Sequence, residues 1–169
     1  MTGVRRGQLC VALALSVVAT PLAAKDSLGV FGQWGAFRDP TVPRCYAVAM
    51  AQKNRADRDY QPFASIGTWP SRAVRGQVHF RLSRKLAGTA AITLSLGGQR
   101  FALTGGGGDA WAKDKAMDAG IVAAMRSAGS MTVSARDARG RRFSDSYTLA
   151  GAATAMDAAT VGCARVRRS

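Results

Sequence analysis

Gly76-Gln77-Val78-His79-Phe80-Arg81-Leu82 and Ile92-Thr93-Leu94-Ser95-Leu96-Gly97-Gly98-Gln99-Arg100-Phe101-Ala102-Leu103 decide the fold class of this chain. In the first run Val78, Phe80 and Leu82 fall on one side of an extended backbone, and His79, Arg81 and Ser83 on the other. In the second, Ile92, Leu94 and Leu96 repeat the alternation, and Phe101 and Leu103 return it after Gly97-Gly98. A period of two marks a strand that buries one face. A Gly-Gly pair between two such runs signals a tight hairpin, because both glycines tolerate positive φ. Gly76 to Thr104 is therefore predicted as a β-meander with one core face and one wet face.

On the N-terminal side, Phe63 to Trp69 alternates in the same way, and Cys45-Tyr46-Ala47-Val48-Ala49-Met50 is short enough to be a strand. Leu28 to Phe37 is read as one opening strand, Asp39-Pro40 and Pro43 as a turn, and Gln52 to Gln61 as a polar loop. On the C-terminal side, Gly105 to Gly108 is read as a flexible connection into a helix over Lys113 to Ala128. Met117, Ile121, Ala124 and Met125 share a face of that helix, with Asp114 and Asp118 near its start and Arg126 near its end, as the helix dipole favours. Gly129 stops it. Met131, Val133 and Ala135 resume strand alternation, Asp137-Ala138-Arg139-Gly140 turns, and Phe143 to Leu149 returns. Gly151 to Val161 is a small-residue helix that delivers Cys163. The expected class is mainly β: an antiparallel β-sandwich or partly closed barrel with two short helices.

Residues 1–24 read as a secretory signal peptide, with Arg5 and Arg6 ahead of an apolar run from Leu9 to Ala19 and small residues before Lys25. That run is too short to span a bilayer and no second one follows, so no transmembrane segment is expected after cleavage at Ala24. Lys25 to Ala164 is expected to form a single domain, periplasmic or secreted, with 165–169 as a basic tail. Cys10 leaves with the leader. Cys45 and Cys163 remain, an even pair in an oxidising compartment, and their spacing is not that of a redox Cys-x-x-Cys motif. A structural disulfide between them would close most of the domain, which chain-entropy reasoning values at roughly 4–5 kcal/mol.

The formal charge is +14, and +12 once Arg5 and Arg6 are removed; all ten acidic residues are Asp. Such a field attracts anions without specifying them. For an exported protein these are lipopolysaccharide, anionic lipid headgroups and acidic proteins, and nucleic acid is not expected. Arg72, Arg75, Arg81, Arg84 and Arg100 surround the alternating strands and form the candidate anion-binding set, since guanidinium forks match phosphate and carboxylate. Trp34, Trp69 and Trp111 are the candidate aromatics of a shallow groove, against the plainer reading of core or sheet-edge packing.

Catalytic chemistry is poorly supplied. His79 is the single histidine, so any Ser-His-Asp or Cys-His constellation must include it. It is expected on a solvated strand face. One histidine and two paired cysteines do not make a zinc site, and Asp57-x-Asp59 lacks the further ligands of a calcium loop. The four glycines precede a helix, yet Asp109 follows them with no Gly-Lys-Ser/Thr, which argues against a phosphate cradle. No catalytic residue, metal or cofactor is assigned.

The C-terminal half, with Ala124-Met125-Arg126-Ser127-Ala128-Gly129, then Met131-Thr132-Val133, Gly140, Tyr147-Thr148-Leu149 and Gly151, resembles the invasion-associated locus B family of bacterial envelope proteins. Gly32-Gln33-Trp34 is similar to that family's opening strand, and Arg44-Cys45-Tyr46-Ala47 to its cysteine-bearing second strand. Family members often carry a cysteine four residues after the tryptophan, where this chain has Arg38, so the family's disulfide pattern does not carry over. The resemblance implies a secreted, mainly β domain linked to host-cell invasion in some pathogens, with no catalytic residues to transfer. The expectation is an exported, non-enzymatic envelope protein that binds an anionic envelope component or a host surface. The alternative is a protein-binding module, such as an inhibitor or accessory subunit of a periplasmic complex, using a sheet edge and aromatics.

Overall fold

The alternating runs become strands in a computed structural model that describes residues 25–54, 58–88 and 90–166. The leader read at 1–24, Asp57 of the Asp-x-Asp pair, and Arg167 and Arg168 of the tail lie outside the described residues. In chain order the elements are β1 (Asp26–Phe31), β2 (Trp34–Asp39), β3 (Arg44–Met50), β4 (Phe63–Trp69), β5 (Val74–Arg81), β6 (Ile92–Leu96), β7 (Gln99–Gly106), β8 (Asp109–Trp111), α1 (Lys115–Met125), β9 (Ser130–Arg136), β10 (Arg142–Thr148) and α2 (Ala152–Val166). The strands form one antiparallel sheet in the order β1-β2-β3-β4-β5-β8-β7-β6-β9-β10. Gln52 N–H donates to Ser146 O at 2.8 Å, and the Gln52 amide nitrogen donates to Thr148 Oγ1 at 2.7 Å. The sheet therefore curls until β10 meets the loop after β3, but no ladder joins β10 to β1 and it stays open.

Three expectations are corrected. The opening strand is a hairpin: Phe31 pairs with Trp34 across Gly32-Gln33, and Gly32 takes the positive φ of +60° that a two-residue turn needs. The meander over Gly76 to Thr104 is interrupted, because β7 and β8 lie between β5 and β6. The four glycines are not a linker to the helix. They turn β7 straight into β8, and a Cβ on Gly105 would sit 2.2 Å from Asp109 O. Only glycine allows that backbone approach.

The alternation predicted for β5, β6, β9 and β10 sends Val78, Phe80, Leu94, Val133 and Tyr147 into one core. Trp34 is fully buried there, and its indole N–H donates to Thr148 O at 2.9 Å. Asp114 caps α1 by accepting from Met117 N–H at 2.8 Å. One turn later Asp118 accepts from Val78 N–H at 2.8 Å, which ties α1 to β5. Helix α2 lies on the inner face of β1 to β4 and extends past the predicted end, so Cys163 belongs to the helix. Cys45 on β3 and Cys163 are joined by a disulfide, Cα to Cα 5.7 Å, across 118 positions. At the entry to α2, Gly151 has φ +89°, and a Cβ on it would meet Phe31 O at 1.9 Å. The β1–β2 turn and the start of α2 are thus in backbone contact.

Candidate functional site

The structure does not gather the five candidate arginines into one patch. Arg81 is 2.6 Å from Asp109, with its guanidinium 3.8 Å above the Tyr60 ring. Arg84 is 3.4 Å from Asp137. Arg72 is exposed in the 3-10 turn Pro70–Arg72, Arg75 is exposed on β5, and Arg100 is exposed beside the Gly97-Gly98 turn. The three tryptophans line no common groove. Trp34 is core, Trp69 lies across Gly67, where a Cβ would stand 2.5 Å from its ring, and Trp111 stacks on His79 with centroids 5.1 Å apart.

His79 is half-buried rather than fully solvated. Its Nε2 lies 3.0 Å from Asp109 Oδ1, and Phe63 meets its ring edge-on. Asp109 thus bridges His79 and Arg81, clamping β5 to β8. Ser65 stands opposite His79 in the β4–β5 register, but no hydrogen bond between them is among those of the described residues, so this is a cross-strand clamp and not an assembled triad.

Two of the five line concavities, Arg75 one and Arg84 another, and the hollow that holds Arg84 is the more strongly charged. Loop 59–60, loop 83–86 and the β9–β10 turn enclose a hollow of about 430 Å³ lined by Asp59, Tyr60, Arg84, Lys85, Asp137, Ala138, Arg139 and Arg141. Backbone hydrogen bonds stitch its three walls together. Asp59 and Tyr60 N–H donate to Ser83 O at 2.8 and 3.2 Å, and Ala138 N–H donates to Lys85 O at 2.8 Å. Asp59 accepts from Lys85 N–H at 2.9 Å. Asp137 organises the turn. Its Oδ1 accepts from Arg139 and Arg141 N–H, and its Oδ2 from Arg141 Nε at 2.9 Å. Burial opposes ionisation of this carboxyl, but these bonds and the Arg141 charge outweigh it and hold Asp137 below the ordinary carboxylate range.

Asp137 is thus consumed by donors within the walls, while Asp59, at the exposed rim, accepts one bond through Oδ2. The side chains of Lys85 and Arg139 make no hydrogen bond or ion pair among the described residues. The hollow is a basin with backbone-stitched walls and uncommitted positive charge. Lys85, Arg139, Arg141 and Asp137 were missed as a site by sequence reasoning. The local signal was present in Asp137-Ala138-Arg139-Gly140, which reads as a turn, and in the basic cluster of Arg139, Arg141 and Arg142, but neither specifies a site.

Beneath the hollow, Asp145 is 1 % exposed. Its Oδ2 accepts from Ser83 N–H at 2.8 Å and so anchors the loop that carries Arg84 and Lys85. Asp145 Oδ1 and the Tyr147 hydroxyl have no hydrogen-bond partner among the described residues. Burial raises the Asp145 carboxyl above its ordinary 3.8, against the Ser83 hydrogen bonds and the charges of Arg58 and Arg84. Burial, with the Asp145 charge, also pushes the Tyr147 phenol up. A raised carboxyl binds more protons folded than unfolded, so its contribution to stability falls as pH rises above 3.8. Asp145→Asn keeps an acceptor for Ser83. It is expected to flatten that fall and to be no less stable than the parent at pH 7. Asp145→Ala strands the Ser83 N–H and is expected to lose about 1–3 kcal/mol. Urea titrations of the parent and both variants between pH 4 and 7 check this.

Fold and site together define a mainly β domain, built on one curled antiparallel sheet, braced by a disulfide and carrying a concave cationic basin. Among the described residues no cluster of His, Cys or Asp could hold a metal, and no helix is long and apolar enough to cross a membrane. No family model, curated protein or solved structure matches the chain.

Proposed function

We propose that this is an exported binding protein, not an enzyme, which holds an anionic group of the cell envelope or of a host surface in the hollow formed by Arg84, Lys85, Arg139 and Arg141. The convergence of these four cations on two carboxylates, one of which, Asp137, has both oxygens already bonded, carries the reading. A phosphate or carboxylate entering there meets the uncommitted charged donors of Lys85 and Arg139 beside the guanidinium groups of Arg84 and Arg141, which Asp137 already holds. The signal-like segment at 1–24, the Cys45–Cys163 disulfide and the likeness to invasion-associated locus B proteins support export to the periplasm or beyond.

Retention on immobilised lipopolysaccharide, measured over a salt series, tests this reading on protein purified from cells expressing the full chain. Replacing Lys85 and Arg139 together by Ala is expected to weaken binding about tenfold, as loss of charged hydrogen bonds would. Replacing Arg72 and Arg100 together removes the same charge elsewhere and is expected to cost less than about twofold. Equal losses from the two pairs would show that only net charge matters, and the hollow would be discarded as the site.

A further inference from the structure

A second concavity, of about 710 Å³, runs between α1 and α2 above β4 and β5. It shares no lining residue with the cationic hollow. Its floor is apolar: Ile66, Met156 and Ala159 are buried beneath it, and Val74, Val122 and Val161 form its sides. Val161 is 53 % exposed, a large apolar side chain left open to solvent at the rim.

Most polar groups along this groove are already used. Thr68 Oγ1 accepts from Gly76 N–H at 3.3 Å. Thr160 Oγ1 donates to Met156 O at 2.8 Å. Arg126 is held by both oxygens of Asp157, at 2.6 and 3.3 Å. Arg75 is the exception: it lines the groove, is exposed and has no hydrogen bond or ion pair among the described residues. The backbone is also unusual at this lip. Ala73, with φ +53°, is the one non-glycine residue of positive φ among those described, and Gly76 follows at +64°. Glycine takes that conformation freely, whereas Ala73 takes it as the cap that closes the turn Pro70–Arg72, at some cost in stability.

We infer that this groove is a binding site for a single-chain amphiphile with an anionic head, specifically a long-chain fatty acid, its hydrocarbon lying between α1 and α2 and its carboxylate on Arg75. The volume is that of a small-molecule site, and an apolar wall with one uncommitted cation matches an apolar chain with one negative charge. The chain would cover Val161 and Val122 from water, which supplies the driving force. The guanidinium would fix the direction of entry.

Displacement of a fluorescent fatty acid by oleate tests the inference on protein purified from cells expressing the full chain and freed of lipid. One saturable site per chain is expected. Arg75→Ala should weaken oleate at least fivefold while leaving oleyl alcohol unchanged, since the alcohol has no charge to lose. Val122→Trp, which fills the groove, should weaken both ligands at least tenfold. Val161→Trp, at an exposed position that tolerates bulk, should do the same if Val122→Trp fails to fold. Absence of saturable binding would overturn the inference. So would oleate affinity insensitive to Arg75→Ala, or capture of anionic phospholipid vesicles without binding of monomeric fatty acid. None of these outcomes depends on Lys85 or Arg139, so this site and the cationic hollow stand or fall separately.

Discussion

A protein in which Cys45 and Cys163 are both replaced by alanine is expected to lose roughly 4–5 kcal/mol of stability, the largest effect of any change considered. The bond closes a loop of 118 positions. Without it the unfolded chain regains the freedom that the cross-link removes, while the native sheet loses its covalent tie to α2. Both cysteines are buried, Cys45 at 0 % and Cys163 at 4 % exposure, so the folded protein should resist reductant that the unfolded chain cannot. Urea unfolding of the parent, with and without reductant, and of the double variant checks the expectation. The reduced parent and the variant should coincide, and a loss below about 1 kcal/mol would overturn the chain-entropy expectation by showing that the unfolded chain is restricted without the bond. A typical domain is stable by only about 5–15 kcal/mol, so the full loss leaves a protein marginal at body temperature.

Trp34→Ala is expected to cost about 3–5 kcal/mol. Trp34 is the largest fully buried side chain, on the second strand of a hairpin that forms one margin of the sheet. Its indole N–H reaches Thr148 O on the last strand. Truncation would leave a large void and an unpaired carbonyl at the place where the curling sheet brings its two ends together. Trp34→Phe separates the two effects. It keeps most of the apolar volume and loses the hydrogen bond, so a cost of about 1–2 kcal/mol is expected. Thermal unfolding of the two variants, with β10 amide protection followed by hydrogen exchange, would test whether the damage is local to that seam. Uniform loss of protection would place Trp34 in the global core instead.

Much of the fold was legible in the chain because its cues are local. Val78, Phe80 and Leu82 alternate whatever lies beside them, and Gly97-Gly98 turns whatever it joins. The structure returns both, with Ile92 paired to Leu103 and Leu96 to Gln99. The helix expected from Lys113 to Ala128 forms over Lys115–Met125 behind its Asp114 cap. Errors arose where a local cue had two readings. Leu28 to Phe37 is apolar and aromatic but for Gln33 and its glycines, so only the pair Gly32-Gln33 marks the reversal. Gly105 to Gly108 suits a loose linker and a tight hairpin equally, and contact with Asp109 and Ala110 decides for the hairpin.

The site was less legible than the fold. The candidate arginines went to separate places, because Arg72 lies in a turn, Arg75 and Arg81 at opposite ends of β5, Arg84 in the loop beyond and Arg100 on β7, and Arg81 found Asp109. The hollow instead draws on residues 59–60, 84–85 and 137–141, which meet only after the sheet has curled. Its buried anchor, Asp145, was readable as one more polar residue on an alternating strand, though it points into the core.

The amino-acid order alone determined a mainly β domain, the segments that become most of its strands, and the two cysteines that pair. Each of these follows from short-range periodicity or from counting. Strand order, the interposition of β7 and β8 between β5 and β6, and the convergence of cations on one basin belong to the tertiary structure. They depend on which distant segments satisfy one another's backbone groups and apolar faces, and no local period encodes that choice.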